Sequence, residues 1–93
     1  MNFEELQILG IIASYKGWCH RGSVSIAHEL KLDAGDVREV MRKLITEQIL
    51  EEDLHKIYPK VRPVKITQLG MAARAKAAKE LFPDIFKALL SRR

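Results

Sequence analysis

A mainly α-helical fold with one small β-hairpin (α+β) is predicted for this chain, and three observations predict it. Between Ser23 and Gly70 the apolar spacing passes from helical to alternating, in the order short helix, tight turn, longer helix, two short strands. Helix-starting residues stand where helices should begin: Asn2 with Glu5, Asp33 with Asp36, and Thr67. Pro59 and Pro63 interrupt the strand-rich segment, and because proline cannot donate to a ladder they restrict it to an edge hairpin with a long tip. With 93 residues, 47% of them hydrophobic and 30% charged, the chain is expected to be one soluble domain (1–93) built on a single core.

The first helix is predicted from Asn2 to about Lys16, ended by Gly17. Its apolar residues Phe3, Leu6, Ile8, Leu9, Ile11, Ile12 and Tyr15 surround most of the helix, so it needs cover on more than one side. Residues 1–17 are therefore expected to be a dimerisation element, with Phe3, Leu6, Ile8 and Ile12 at the interface. Trp18 to Gly22 reads as a connection, and Ser23 to Ser25 as a short strand whose last residue caps a helix from Ile26 to about Lys31. Leu32 occupies a turn. Asp33 then caps the helix Ala34 to Glu47, in which Val37, Val40, Met41 and Leu44 share one face by i, i+3, i+4, i+7 spacing. Gly35, Glu39, Arg42 and Thr46 are left pointing outward, flanked by Arg38 and Lys43.

Strand character returns at Ile49 to Leu54 and again at Val64 to Thr67. Thr67 ends the second strand and caps an alanine-rich helix from Gln68 to about Leu81. Pro83 suits the first turn of a last helix, and Leu81, Phe82, Ile85, Phe86 and Leu89 form a broad apolar stripe. Residues 68–93 are thus the second expected dimerisation element, covering the first helix of the same chain and of a partner.

Charge is uneven. From Leu54 to Lys79 lie seven basic residues and no acidic one, so a chain of net charge +4 carries −3 on the rest. A field concentrated in one segment suits a polyanion. No apolar run is long enough to cross a membrane, and Glu4 and Glu5 near the start argue against a secretory leader and for a cytoplasmic protein. Enzyme chemistry finds no support. His20, His28 and His55 are too scattered to form a ligand set, and Cys19 and His20 are adjacent rather than spaced to converge on an ion. Glu51 and Glu52 occupy successive strand positions and point to opposite faces. No metal or cofactor is expected. Asn and Gln are few beside abundant Lys and Glu, a bias of thermophile proteins, in which intracellular disulfides occur. For the one cysteine, Cys19, a bridge to its counterpart in a second chain therefore stands beside a reduced, packed thiol.

Three segments carry a family resemblance. Val24-Ser-Ile-Ala-His-Glu-Leu-Lys-Leu32 resembles the first helix and turn of the DNA-reading unit in the MarR and SlyA group of winged-helix transcription regulators. Asp33-Ala-Gly-Asp-Val-Arg-Glu-Val-Met-Arg-Lys-Leu44 resembles that group's major-groove helix, and Ile66-Thr67-Gln-Leu-Gly70 matches the Leu-Thr-x-x-Gly pattern that closes its wing. Size and termini are also similar to small winged-helix proteins of archaeal spindle-shaped viruses. Gln48 departs from the group's usual glycine, and the wing, Tyr58-Pro59-Lys60-Val61-Arg62, lacks its Asp-x-Arg signature. The terminal helices are shorter than the group's, so no small-molecule effector is expected.

The resemblance implies a winged helix-turn-helix over 23–67 and a homodimeric, sequence-specific binder of double-stranded DNA. Ala34, Gly35, Arg38, Glu39 and Arg42 would reach base edges, with Arg38 and Arg42 offering forks to guanine. Ser23, Ser25 and Lys43 would take phosphates, and His55, Lys56, Lys60 and Arg62 of the wing would follow the backbone or minor groove. The alternative is a winged-helix protein-interaction module without nucleic-acid contact; weak retention on heparin would mark it.

Overall fold

Six elements order residues 1–54 and 62–83, the parts of the chain that the computed structural model describes. They are α1 (Phe3–Ala13), α2 (Ser23–Leu30), α3 (Ala34–Thr46), β1 (Leu50–Glu52), β2 (Val64–Ile66) and α4 (Gln68–Leu81). Three helices, an antiparallel hairpin and a closing helix make a winged helix.

The start of α1 follows from its capping box. Asn2 Oδ1 accepts from the Glu5 amide at 2.8 Å, and Glu5 Oε1 accepts from the Asn2 amide at 3.1 Å. The helix ends at Ala13, earlier than expected, because the Ser14 hydroxyl donates to the Ile11 carbonyl at 2.6 Å and satisfies a terminal acceptor. Gly17, at φ +89°, then turns the chain.

The expected strand at Ser23 to Ser25 is not formed. Those residues are the first turn of α2, and Gly22, in extended conformation, is the N-cap without a side-chain bond. Extended pairing occurs earlier, at Cys19, whose amide donates to the Val64 carbonyl at 2.7 Å while its carbonyl accepts from Val64 N–H at 3.0 Å. At Val64, β2 therefore has neighbours on both sides, contrary to an edge hairpin. Pro63 is compatible with this because it is buried one residue before the doubly paired position, and its carbonyl accepts from Asp53 N–H at 2.9 Å. The hairpin register pairs Leu50 with Ile66, Glu51 with Lys65 and Glu52 with Val64.

Helix α3 begins as expected, with Asp33 Oδ2 accepting from the Asp36 amide at 3.0 Å. Its apolar face buries Val37, Met41 and Leu44 and half-buries Val40. Two residues sit in the left-handed region, Lys31 at φ 58° after α2 and Gln48 at φ 63° after α3. The latter is the position where glycine was the expected residue type.

Thr67 joins the hairpin to α4. Its hydroxyl accepts from the Gly70 amide at 2.9 Å and donates to the Gln48 carbonyl at 2.6 Å. Gly70 passes so close to the α3–β1 turn that a Cβ there would overlap the Ile49 carbonyl oxygen and stand 2.8 Å from Ile66 Cγ1. The Thr-x-x-Gly pattern is thus a backbone-to-backbone approach locked by one hydroxyl.

One core unites these elements: Ile8, Leu9 and Ile12 of α1, Cys19, Ile26 and Ala27 of α2, the α3 face, Ile49, Leu50 and Val64. This corrects the expected interface of α1. Ile8 is 0% and Ile12 1% exposed inside this single chain, so neither is presented to a partner. Apolar residues all round α1 are explained instead by α2, β2 and α4, which all pack on it. Leu6 is half-buried, whereas Phe3 remains 53% exposed and meets Phe82 edge-on at 5.7 Å. Leu81 is also exposed. Ile85, Phe86 and Leu89 lie outside the described residues. Cys19 is fully buried and free, so of the two readings open for it the packed thiol is the one that fits, not the bridge between chains. Among the described residues no helix is long and apolar enough to cross a membrane.

Candidate nucleic-acid interface

Helices α2 and α3 and the base of the hairpin enclose an open groove of about 1110 Å³. Four guanidinium groups line it: Arg21 before α2, Arg38 and Arg42 on α3, and Arg62 entering β2. Arg38 and Arg42 are four residues apart on one helix, so they stand one above the other on the groove side. Among the described residues neither has an ion-pair partner, and both are exposed.

The other two arginines are paired. Arg21 bonds Glu29 at 2.7 Å and two atoms of Ser25. The hydrogen bond to Glu29, with the Tyr15 phenol beside it, pushes the guanidinium pKa above its ordinary value, so Arg21 carries its charge at any working pH. Arg62 lies 3.6 Å from Glu52, a looser contact with the guanidinium half in solvent. Ser23, Ser25, His28 and Glu29 complete the α2 wall. Four guanidiniums against two carboxylates leave the groove cationic.

Other expected residues fall as follows. Gly35 and Glu39 are exposed on α3, as their spacing requires, but Ala34 is half-buried and packs on the core, so it is withdrawn from the outward set. Lys43 is not with the phosphate candidates. It sits roughly 140° around α3 from Arg38, and its Nζ is 3.5 Å from Glu5 Oε2 on the α1 side. A nearly buried carboxylate there needs a cation, and Lys43 supplies it. His55, Lys56 and Lys60 lie outside the described residues.

The basic segment is also less free than its composition suggests. Lys65 pairs with Glu51 at 3.1 Å and holds its ammonium 4.7 Å over the Trp18 ring, so it serves the hairpin base. Arg21 and His28 are the groove residues that sequence reasoning missed. Arg21 lay in an apparent connection, outside the basic run, and only the folding of α2 against α3 brings it to Arg38. Among the described residues no cluster of His, Cys, Asp and Glu could hold a metal ion.

No known family model matches the sequence, and no curated protein matches it. Solved structures do. The chain superimposes over its full length on apo wild-type MarR from E. coli, with a TM-score of 0.71 at 16% identity, covering 67% of that protein. MepR from S. aureus in complex with DNA gives a TM-score of 0.68 at 17% identity over the full chain and 66% of MepR. A MarR/EmrR family transcriptional regulator from Acinetobacter sp. ADP1 gives 0.65 at 21% identity, over 98% of this chain and 61% of that one. The chain therefore spans about two thirds of the length of these proteins, and its fold is the MarR-like winged helix.

Proposed function

We propose that this MarR-like winged-helix chain binds double-stranded DNA with sequence preference, acts as a transcription regulator, and works as a homodimer. The observation that carries the reading is the pair Arg38 and Arg42, exposed and unpaired among the described residues, in a groove that also holds Arg21 and Arg62. A guanidinium fork matches the O6 and N7 acceptors of guanine, and each such pair discriminates against the wrong base by about 1–3 kcal/mol. Arg62, Ser23 and Ser25 at the groove edge supply phosphate contacts, with Lys56 and Lys60 of the wing extending them, and counterion release then makes binding steeply salt-dependent. The MepR complex adds a DNA-bound protein of the same fold.

Dimerisation rests on the terminal apolar patch. Phe3, at the start of α1, and Leu81, at the end of α4, are exposed, and Phe82, half-buried, meets Phe3 edge-on between them. Two copies joined there would place two reading helices on half-sites about one helical turn apart, on an operator of near-palindromic sequence.

Selection of duplexes from a random pool at two salt concentrations tests the reading. Arg42→Ala should relax sequence choice at one position, whereas Lys60→Ala should weaken all sequences alike and lower the salt slope by about one. Absence of any enriched sequence would refute sequence preference, and a single-chain mass by light scattering at micromolar concentration would refute the dimer.

A further inference from the structure

Arg21 is held more firmly than a surface arginine needs. Its side chain is 25% exposed, yet Nε donates to Ser25 Oγ at 2.9 Å, Nη1 to Glu29 Oε1 at 2.7 Å, and Nη2 to the Ser25 carbonyl at 3.2 Å. Those three bonds, with Tyr15 alongside, fix the plane of the guanidinium against α2. The arrangement also orients Ser25. Its hydroxyl oxygen accepts from Arg21, so its own proton is turned away, and no acceptor among the described residues takes it. Ser25 is exposed on the wall of the groove that faces Arg38.

We infer that Arg21 and Ser25 form a preset two-donor clamp for a single backbone phosphate of duplex DNA, and that Glu29 is its positioning residue. This rests on the DNA-binding reading above. The guanidinium brings the charge and any N–H left over from its internal bonds, and the Ser25 hydroxyl brings the second donor. Glu29 holds the arginine flat, so less side-chain freedom is lost when the phosphate arrives. Arg62 is the contrast. Its contact with Glu52 is a long one between a half-exposed pair, which positions little and mainly opposes an incoming phosphate.

The two carboxylates therefore predict opposite signs. Simple charge counting says that neutralising either one tightens binding to a polyanion. Positioning says that Glu29→Gln weakens it. The probe is a fluorescently labelled duplex of random sequence, titrated by anisotropy over a series of salt concentrations, because a phosphate contact acts on every sequence. Expected results are a loss of about threefold for Glu29→Gln, the scale of one exposed charge contact, with the salt slope unchanged. Arg21→Ala should lose at least as much and lower the slope by about one. Ser25→Ala should lose affinity with no change of slope, and Glu52→Gln should gain affinity. These side chains are on the surface, and melting curves verify that each variant folds. Glu29→Gln binding as tightly as the unsubstituted chain, or more tightly, overturns the clamp while leaving DNA binding in place. An unsubstituted chain that shows no binding at low salt overturns the DNA-binding reading itself.

Discussion

Replacing Thr67 by valine keeps the shape of the side chain and removes only the hydroxyl, which makes it a clean measure of how the hairpin is fastened to α4. An acceptor and a donor disappear. The Gly70 amide loses its cap acceptor at 2.9 Å, and the Gln48 carbonyl at 2.6 Å, with the Ile49 carbonyl at 3.2 Å, loses the shared donor. Loss of a threonine N-cap costs about 1 kcal/mol, within a range of roughly 0.5–2. The shared donor contributes about 1 kcal/mol net. The sum is about 2 kcal/mol, and for a domain of this size each kcal/mol moves the midpoint by roughly 4–8 °C, so a fall of about 8–16 °C is expected. Thr67→Ser retains the hydroxyl and gives up one methyl, at a cost of about 0.8 kcal/mol when fully buried and less here, where the residue is half-buried. Thermal and urea unfolding followed by circular dichroism measure both variants. A valine variant within about 0.5 kcal/mol of the unsubstituted chain, or a serine variant as unstable as the valine one, would refute the assignment of the hydroxyl as the fastening group.

Other substitutions test neighbouring claims. Gly70→Ala gains helix propensity of about 1 kcal/mol but drives a methyl into the Ile49 carbonyl, so urea unfolding should show a net loss of about 2 kcal/mol; a stabilised variant would contradict the close approach. Lys31→Gly and Gln48→Gly release left-handed residues at φ 58° and 63°, and each should raise the urea midpoint by the equivalent of about 0.5 kcal/mol without changing the slope. The Cys19 thiol should react with a chromogenic disulfide reagent only as fast as the chain opens, and a nonreducing gel should show a single-chain band; rapid reaction of the folded protein would contradict its burial.

Local signals were legible and distant ones were not. Asp33 and Thr67 announced the starts of α3 and α4 because a capping side chain bonds an amide three residues away, a relation written wholly in adjacent sequence. The start of α2 carries no such mark, since Gly22 caps it without a side chain, and Ser25, the residue type that usually caps, lies inside the first turn instead. The pairing of Cys19 with Val64 joins residues far apart in the chain and leaves no periodic trace. Ile8 and Ile12 exposed another limit: apolar spacing reports that a face is covered, not whose residues cover it. At the interface, Arg38 and Arg42 followed from helical spacing. Lys43 did not, because its partner Glu5 comes from another helix, and Arg21 became visible only once α2 was packed beside α3.

The approach at Gly70 also has a mechanical meaning. Backbone rests on backbone there, with no compliant side chain between, so α4 and the base of the hairpin turn together about that point. Fourteen residues of helix make an arm of roughly 21 Å, and a tilt of about 10° sweeps its far end by about 4 Å. That far end carries Leu81 and leads to Phe82. On the proposed reading of a DNA-binding dimer, a partner seated against those two residues would set the pitch of the hairpin against a duplex, and the distance between subunits would become a control on how each one grips.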